Sequence, residues 1–362
     1  MTTIAIVGQG YMGRTHAEAW AELGLAERIK YVSARTPGEP LEHAPAATFV
    51  TDLKTVLSDP EVDIVSVCTP TATHRDIAVR ALEAGKNVLL EKPFALSIED
   101  TLAVQRAAES SGTVFMVAQV VRFFEGYRRL RSDVAEGALG EVLSGRARRF
   151  INRPDWAQWW HDDAQSGGMV VDFAIHDYDQ MNLFLGEPTR VSSVSRGRLG
   201  PVETTIEYRN GGIGQVLSFA DLKQGAPFTS SIGLVGTEGF ADYEFSAGSP
   251  TDHGDTAVNT DAISRYRLAT AERSLSVDLA GEAPYTCQAE YFLRCVTDGS
   301  EPGICTTPSA VRALEVSLAA AESLASGRPV RVESTVSNAA AAGTSALPWR
   351  SDQALTPTSH TT

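Results

Sequence analysis

Short apolar runs alternate with amphipathic segments through the first third of the chain. The runs are rich in β-branched residues and are TIAIVG (3–8), IKYVSA (29–34), VDIVSVC (62–68), KNVLLE (86–91) and TVFMVA (113–118). Strands that alternate with helices are typical of a parallel, doubly wound sheet with helices on both faces. The pattern therefore predicts an α/β domain of this kind over residues 1–120.

Beyond about residue 120 the pattern changes to longer strands in which apolar and polar residues alternate. These strands are EVLSGRARRFI (141–151), RVSSVSRGRL (190–199), ETTIEYR (203–209), GQVLSFA (214–220) and TSSIGLVG (229–236). Because strand follows strand, we predict an α+β domain with a large, mostly antiparallel open sheet over residues 121–335. Residues 336–362 lose both periodicities and are rich in Ala, Ser, Thr and Pro, which predicts a disordered tail.

A third pattern, GGMVVDFAIHDYDQ at 167–180, resembles a core segment that polar residues interrupt. If the stretch is one helix, spacings of four and three residues place Asp172, His176 and Asp179 on the same face. Such a stripe is compatible with a catalytic face, with a divalent metal site, or with a buried polar cluster that satisfies itself. The stretch alone does not choose among the three.

Length and charge narrow the possible classes of protein. A chain of 362 residues favours two domains, and 31 basic against 45 acidic residues give a net charge of 31 − 45 = −14. This charge, without any basic run, argues against nucleic acid and anionic membranes as partners. We predict a cytoplasmic protein, because the chain starts in a strand without a signal sequence and has no apolar run that could span a bilayer. The four cysteines form no CxxC pair, which predicts reduced thiols.

A glycine motif, GQGYMG at 8–13, closes the first predicted strand and opens a helix. The first glycine permits a tight turn, the second lets backbone approach a pyrophosphate, and the third lets helix and strand pack closely. The phosphates would then lie at the helix N-terminus. In this context GxGxxG predicts a Rossmann domain that binds a dinucleotide. The predicted contacts are Gly8, Gly10, Tyr11, Met12 and Gly13.

The end of the second predicted strand bears on the choice between NAD and NADP. This position often carries an acid that holds the ribose 2′-hydroxyl of NAD, but here the sequence reads SART at 33–36. The hydroxyl of Ser33 and the planar guanidinium of Arg35 could accept a 2′-phosphate, which favours NADP. In the alternative, Arg35 stacks on the adenine or points into solvent, and NAD is held through the ribose by other groups.

Two further motifs, CTPTATH (68–74) and EKPF (91–94), follow predicted strands of the parallel sheet. Open α/β sheets place their ligands at the carboxyl ends of such strands. A lysine directly after a buried strand can bring a positive charge into the cofactor cleft, and the proline behind it allows a cis peptide bond. The cofactor contacts predicted from these motifs are Thr69, Pro70, His74, Glu91 and Lys92.

In this order and at these separations, GQGYMG, TPTATH, EKP and the late GG…D…H segment resemble the glucose–fructose oxidoreductase / inositol dehydrogenase / rhizopine-catabolism (Gfo/Idh/MocA) family of NAD(P)-dependent enzymes. The resemblance covers residues 3–335. It implies a Rossmann domain joined to an α/β domain whose open sheet often makes subunit contacts, and hence a homodimer or homotetramer. It also implies that Lys92, Asp172 and His176 match the family's catalytic lysine, aspartate and histidine.

Within that family, the HDxD form at 176–179 is similar to inositol dehydrogenases. The missing acid after the second strand departs from the NAD-using pattern that is common among them.

The chemistry of these three side chains suits oxidation of a secondary alcohol by hydride transfer. His176 can accept the hydroxyl proton, because imidazole titrates near neutral pH. The charge of Lys92 can stabilise the developing alkoxide, and Asp172 can orient the pair or hydrogen-bond the substrate. A metal is not needed for this reaction, so we predict none.

Clues to the substrate are fewer. The segment NRPDWAQWWHDD (152–163) contains Arg153, Trp156, Trp159 and Trp160. Aromatic faces can stack on a sugar or cyclitol ring, although a hydrophobic plug or a subunit contact fits equally well. Arg122 lies where the first domain meets the second, and Asp179 could bind a further hydroxyl. These residues complete the predicted substrate site.

The sequence therefore predicts an NAD(P)-dependent oxidoreductase that interconverts a secondary hydroxyl and a ketone on a sugar, polyol or cyclitol. The alternative is a non-catalytic protein that senses NAD(P) or a sugar on the same fold, since fold does not imply function. The presence of both Lys92 and His176 favours the enzyme.

Overall fold

The computed structural model describes residues 2–152, 158–197, 200–247, 262–280 and 283–335. The first part of the chain forms a six-stranded parallel sheet, whose strands are β1 (Ile4–Val7), β2 (Ile29–Ser33), β3 (Thr48–Val50), β4 (Ile64–Val67), β5 (Asn87–Glu91) and β6 (Phe115–Ala118). Their order is β3-β2-β1-β4-β5-β6. The predicted parallel Rossmann sheet is confirmed, and the short edge strand β3 is an addition to it.

Burial on both faces explains why these strands are continuous apolar runs. Every residue of β1 is buried; Ile4 and Ile6 join one apolar cluster, while Ala5 and Val7 join another on the opposite face. A strand that is covered on both faces has no solvent-facing position for a polar residue.

Four helices accompany this sheet: α1 (Tyr11–Glu22), α2 (Leu53–Leu57), α3 (His74–Glu83) and α4 (Ile98–Ser111). Local sequence signals set their ends. The side chain of Asp52 accepts a hydrogen bond from the N–H of Lys54 at the start of α2, and Ser97 caps α4 in the same way. Gly112 ends α4 with φ at 67°, a conformation that glycine adopts without strain.

The second part of the chain forms a nine-stranded sheet in which one face is covered. Its strands are β7 (Val142–Asn152), β8 (Pro188–Ser195), β9 (Val202–Tyr208), β10 (Ile213–Leu222), β11 (Thr229–Gly236), β12 (Gly239–Ser246), β13 (Ile263–Thr270), β14 (Ser274–Asp278) and β15 (Val330–Arg331). The order is β14-β13-β12-β11-β7-β10-β9-β8-β15. Among the described strands of this second sheet, only the β7–β10 pair is parallel, so the prediction of a mostly antiparallel sheet is confirmed. The strands from β12 to β15 were not predicted.

The remaining helices are α5 (Glu125–Ala135), α6 (Asp163–Ser166), α7 (Gly168–Asp172), α8 (Ile175–Leu185), α9 (Pro284–Asp298) and α10 (Thr307–Ser326). Helices α8 and α10 pack together over the nine-stranded sheet, while α9 packs against α1 and buries Phe292 in a core cluster of the first domain. The later part of the chain thus contacts both sheets. Over the described ranges, no helix is both long and apolar enough to cross a membrane. The predicted disordered tail lies outside the described residues.

The segment 167–180 forms two helices rather than the one continuous helix on which the shared face of Asp172, His176 and Asp179 depended. α7 ends at Asp172 and α8 begins at Ile175, and the N–H of Ala174 bonds to the carbonyl of Met169, five residues back. In an unbroken helix the carbonyl of Asp172 would accept from the N–H of His176. Here that carbonyl accepts instead from Nζ of Lys92 at 3.0 Å. The break therefore frees a backbone acceptor for a residue of the first domain.

Candidate active site

The glycine loop between β1 and α1 has the shape that a dinucleotide requires. Gly8 has φ at 105°, and a Cβ there would lie 2.4 Å from the carbonyl oxygen of Cys68. A Cβ at Gly13 would lie 2.0 Å from the carbonyl oxygen of Gly8, whereas Gly10 faces open space. Tyr11 begins helix α1, so the loop leaves free room in front of a helix N-terminus, where a pyrophosphate fits.

The end of β2 lies beside this loop. The N–H of Gly8 donates to the carbonyl of Ser33 at 2.7 Å, and the side chain of Ser33 is buried. Arg35 is exposed, so its guanidinium is accessible from solvent. The 2′-phosphate contact predicted for this pair thus depends mainly on Arg35.

The TPTATH segment forms a compact turn after β4. The hydroxyl of Thr73 donates to that of Thr69 at 2.7 Å, and the ring of His74 lies between two backbone carbonyls, those of Thr69 at 2.9 Å and Pro93 at 2.8 Å. Burial lowers the pKa of His74, and these two carbonyl acceptors partly offset it. His74 thus links the turn after β4 to the EKP turn after β5.

Lys92 contacts the second domain directly. Its peptide bond to Pro93 is cis, as the sequence allowed, and its half-buried ammonium donates to the backbone oxygen of Asp172 at 3.0 Å and to Oδ1 of the same residue at 3.3 Å. The other carboxylate oxygen of Asp172 accepts from the indole N–H of Trp160 at 2.8 Å. Residues 80 apart in sequence therefore meet at the carboxyl edge of the parallel sheet.

His176 borders the same place from the first turn of α8. In the part of the chain that is described, its ring makes no hydrogen bond, and it lines a cavity together with Lys92, Gln119 and Asp179. Burial, and after it the positive charges of Lys92 and Arg149, hold the pKa of His176 well below its usual value. The imidazole is consequently neutral at pH 7 and able to accept a proton.

Arg122 and Asp179, both predicted to contact substrate, bind each other. Nε and Nη2 of Arg122 donate to the two carboxylate oxygens of Asp179 at 2.8 and 2.5 Å, and Gln119 donates to the same carboxylate. Both residues are buried. The neighbouring acid, Asp177, is likewise bound by Arg149 at 2.8 Å. Each carboxylate of this helix is therefore neutralised by an arginine, although Asp179 also borders the cavity.

Two predicted substrate residues, Arg153 and Trp156, lie outside the described residues. Trp160 follows them on a short 3₁₀ helix (Gln158–His161), and its indole N–H donates to Asp172, so Trp160 contacts the segment 167–180. Within the described ranges, no three His, Cys, Asp or Glu side chains are grouped so that they could hold a metal ion.

Sequence reasoning missed a buried cluster beneath the lysine turn. Nε2 of His16 lies 2.9 Å from Oε1 of Glu91, and Nδ1 of His16 lies 2.8 Å from the hydroxyl of Ser66. Glu91 was predicted to bind the cofactor, yet its carboxylate faces inward. One signal was available: His16 lies three residues after Gly13, on the face of α1 that packs against the sheet.

Two models of one protein family match this chain. The GFO_IDH_MocA model, described as an oxidoreductase family with an NAD-binding Rossmann fold, matches residues 2–119, and the GFO/IDH/MocA C-terminal domain matches residues 127–242. The first model covers all six strands of the parallel sheet, and the second covers β7 to β11 and the start of β12 in the nine-stranded sheet.

Relatives and solved structures extend over nearly the whole length. The chain is 27% identical to scyllo-inositol 2-dehydrogenase (NAD(+)) of Bacillus subtilis over 354 residues, which cover 91% of this chain and 96% of that enzyme. GenD2 from gentamicin A biosynthesis, solved with NAD, is 27% identical with a TM-score of 0.76 over 92% and 96% of the two chains. Levoglucosan dehydrogenase with NADH and levoglucosan has a TM-score of 0.77 at 22% identity, over 92% and 99%. The chain therefore belongs to the GFO/IDH/MocA family and is an oxidoreductase with an NAD(P)-binding Rossmann domain.

Proposed function

We propose that the protein oxidises a secondary hydroxyl of a sugar, polyol or cyclitol to a ketone, reversibly, with NAD(P). The observation that carries this proposal is the meeting of Lys92 with Asp172 at 3.0 and 3.3 Å, beside the neutral ring of His176 and near the glycine loop. The named activities of two relatives, on scyllo-inositol and on levoglucosan, support this class of substrate.

Each of the three side chains has a distinct part in the proposed reaction. When bound, the nicotinamide ring supplies the site that accepts a hydride from the carbinol carbon. His176 accepts the hydroxyl proton of the substrate, so that the alcohol becomes a ketone as both the proton and the hydride leave it. The ammonium of Lys92 stabilises the negative charge that develops on the oxygen, and Asp172 holds that ammonium from two of its own oxygens. Arg122, Arg153, Trp156 and Asp179 remain the proposed substrate contacts around this centre.

The proposed preference is for NADP. The exposed guanidinium of Arg35, with no acid at residues 33–36, favours a 2′-phosphate. Replacing Arg35 by alanine is expected to lower kcat/KM for NADP by about 10-fold or more, because a bidentate charge-assisted contact is lost, and to change kcat/KM for NAD by less than about 3-fold. An unchanged ratio of the two values would refute this role for Arg35. Arg80, an exposed arginine on α3 that pairs with Asp76, serves as the matched control.

The open face of the nine-stranded sheet is the proposed subunit contact. Exposed apolar side chains from five strands lie on the face opposite α8 and α10; they are Val194, Ile213, Val235, Phe240 and Ile263. Val235 on β11 is paired with Phe240 on β12, and Ile213 lies at the same end of the sheet. An exposed apolar group of this kind fits an interface, so we propose a homodimer or homotetramer through this face.

A panel of cyclitols, aldoses, anhydrosugars and their keto forms, each with both cofactors, tests the proposed function. Turnover is followed by the absorbance of the reduced nicotinamide. We expect oxidation of at least one cyclic polyol by the wild-type protein. Binding of the cofactor without turnover across the whole panel would contradict the proposal and favour a sensor.

A further inference from the structure

A chain of buried hydrogen bonds lies beneath the lysine turn. The hydroxyl of Ser66 on β4 meets one ring nitrogen of His16, and the other ring nitrogen meets Oε1 of Glu91. The second oxygen, Oε2, accepts from the backbone N–H of Lys92 at 3.2 Å. The chain therefore leads from helix α1, which begins in the cofactor loop, to the backbone of the proposed catalytic lysine.

Burial makes this arrangement unusual. His16, Glu91 and Ser66 are at most 4% exposed. Burial lowers the pKa of the His16 ring, whereas Cys68 and the hydrogen-bonded carboxylate of Glu91 beside it raise that pKa. Apolar residues of similar size often stabilise a core as well as a buried ion pair does, so packing alone does not require these charges.

The position of the pair gives it a specific consequence. His16 is fixed to α1 one turn after Gly13, and Glu91 immediately precedes Lys92. A displacement of about 1 Å at a reacting group can lower a rate about 100-fold, so the backbone that carries Lys92 needs to be held. On the far side of the lysine, His74 already binds the carbonyl of Pro93.

We propose that His16 is a positioning residue, which holds Glu91 so that the backbone of Lys92 stays fixed relative to the cofactor loop. The role rests on the proposed function, because Lys92 is catalytic only if the reaction is the one given above. His16 does not contact the reacting atoms and acts through Glu91.

Four variants of the full-length protein test this role: His16→Ala, Glu91→Ala, the double variant of the two, and Glu91→Gln. Each alanine variant is expected to lower kcat by about 10- to 100-fold, with a smaller loss of about 5-fold or less for Glu91→Gln, whose amide can bond both to His16 and to the N–H of Lys92. The KM for the cofactor is expected to change by less than about 3-fold, since the glycine loop is unaltered.

The double variant keeps the test valid if a single variant fails to fold, because it leaves no unpaired buried charge. The kcat of the double variant is expected to be no lower than the kcat of the less active single variant, since both changes break the same connection. Glu315→Ala is the matched control: Glu315 is also a buried glutamate, and its carboxylate binds Thr335, away from Lys92. Unchanged kcat in the double variant, or a loss in Glu315→Ala as large as that in Glu91→Ala, would overturn the proposal.

A spectroscopic measurement distinguishes failure of this proposal from failure of the proposed function. The other titratable groups near the pair are Cys68, His74, Lys92 and Tyr285. In the ¹⁵N spectrum of the histidine-labelled protein, we expect the Nε2 resonance of His16 to shift in Glu91→Ala, where its hydrogen-bond partner is lost, and to stay closer to its wild-type position in Glu91→Gln. An Nε2 resonance of His16 that is the same in the wild-type protein and in Glu91→Ala overturns the pair. If the wild-type protein turns over no substrate, the proposed function is wrong. The spectrum then still tests the hydrogen bond between His16 and Glu91.

Discussion

Replacing Lys92 by methionine is expected to lower kcat by about 100- to 1,000-fold. The substitution keeps an unbranched side chain of similar length but removes the ammonium that donates to Asp172. In the proposed reaction this charge stabilises the developing alkoxide, and loss of one such preorganised donor costs about 3 to 4 kcal/mol of transition-state stabilisation. The measurement is kcat for oxidation of the best substrate from the panel, at saturating cofactor.

The same substitution at the opposite end of β5 is the control. Lys86 is buried and donates to the backbone oxygens of Asp59 at 2.6 Å and Val62 at 2.9 Å, at the end of the sheet away from the cofactor loop. Lys86→Met is expected to lower thermal stability and leave kcat of the folded enzyme unchanged. If Lys92→Met keeps more than about a third of the wild-type kcat, Lys92 has no role in the chemical step. Nucleotide binding that persists in Lys92→Met would show that the loss lies in catalysis.

The local patterns of the sequence were sufficient for the first domain. Strands β1, β4 and β6 are buried along their whole length and read as short apolar runs, and the glycine motif marks the first turn. The edge strand β3, which is only partly buried, was missed. In the second domain, β12 to β14 were harder to recognise, since β14 is short and half exposed along its length. Alternation of apolar and polar residues is weak when neither face of a strand is well buried.

The candidate site shows a different limit. Each of its residue types was visible in the sequence, but the partners lie far apart: Arg122 and Asp179 are 57 residues apart, and His16 and Glu91 are 75 apart. The break between α7 and α8 also involves a distant residue, since the carbonyl of Asp172 accepts from Nζ of Lys92 rather than from the N–H of His176. Periodicity reports which face of an element is buried, and it does not report which distant side chain lies against that face.

His176→Ala is expected to lower kcat by about 100- to 10,000-fold, the range over which a positioned general base contributes. The ring has no hydrogen-bond partner among the described residues and lies beside Lys92 in the cavity, so its removal leaves the surrounding contacts intact. Thermal unfolding is therefore expected to change little, which separates loss of the base from loss of the fold. Full turnover of every active substrate by His176→Ala would refute the assignment.

The pH dependence of kcat/KM for oxidation gives an independent test of the same base. Only neutral His176 can accept the proton, and burial, followed by Lys92 and Arg149, holds its pKa well below the usual value of about 6.5. Activity is therefore expected to persist as the pH falls through about 6.5 and to decline only at lower pH. Because the folded state resists protonation here, the unfolded chain takes up the proton first, and His176 lowers stability below about pH 6.5.

Removing the charge of Lys92 should alter this acid limb in a defined direction. In Lys92→Met one of the two positive charges that depress the pKa of His176 is gone, so the residual activity is expected to decline at a higher pH than in the wild-type protein. In His176→Asn, which does not titrate, the limb due to this group should disappear. A limb that stays at the wild-type pH in His176→Asn would assign the titration to another residue, and His176 would no longer be the base.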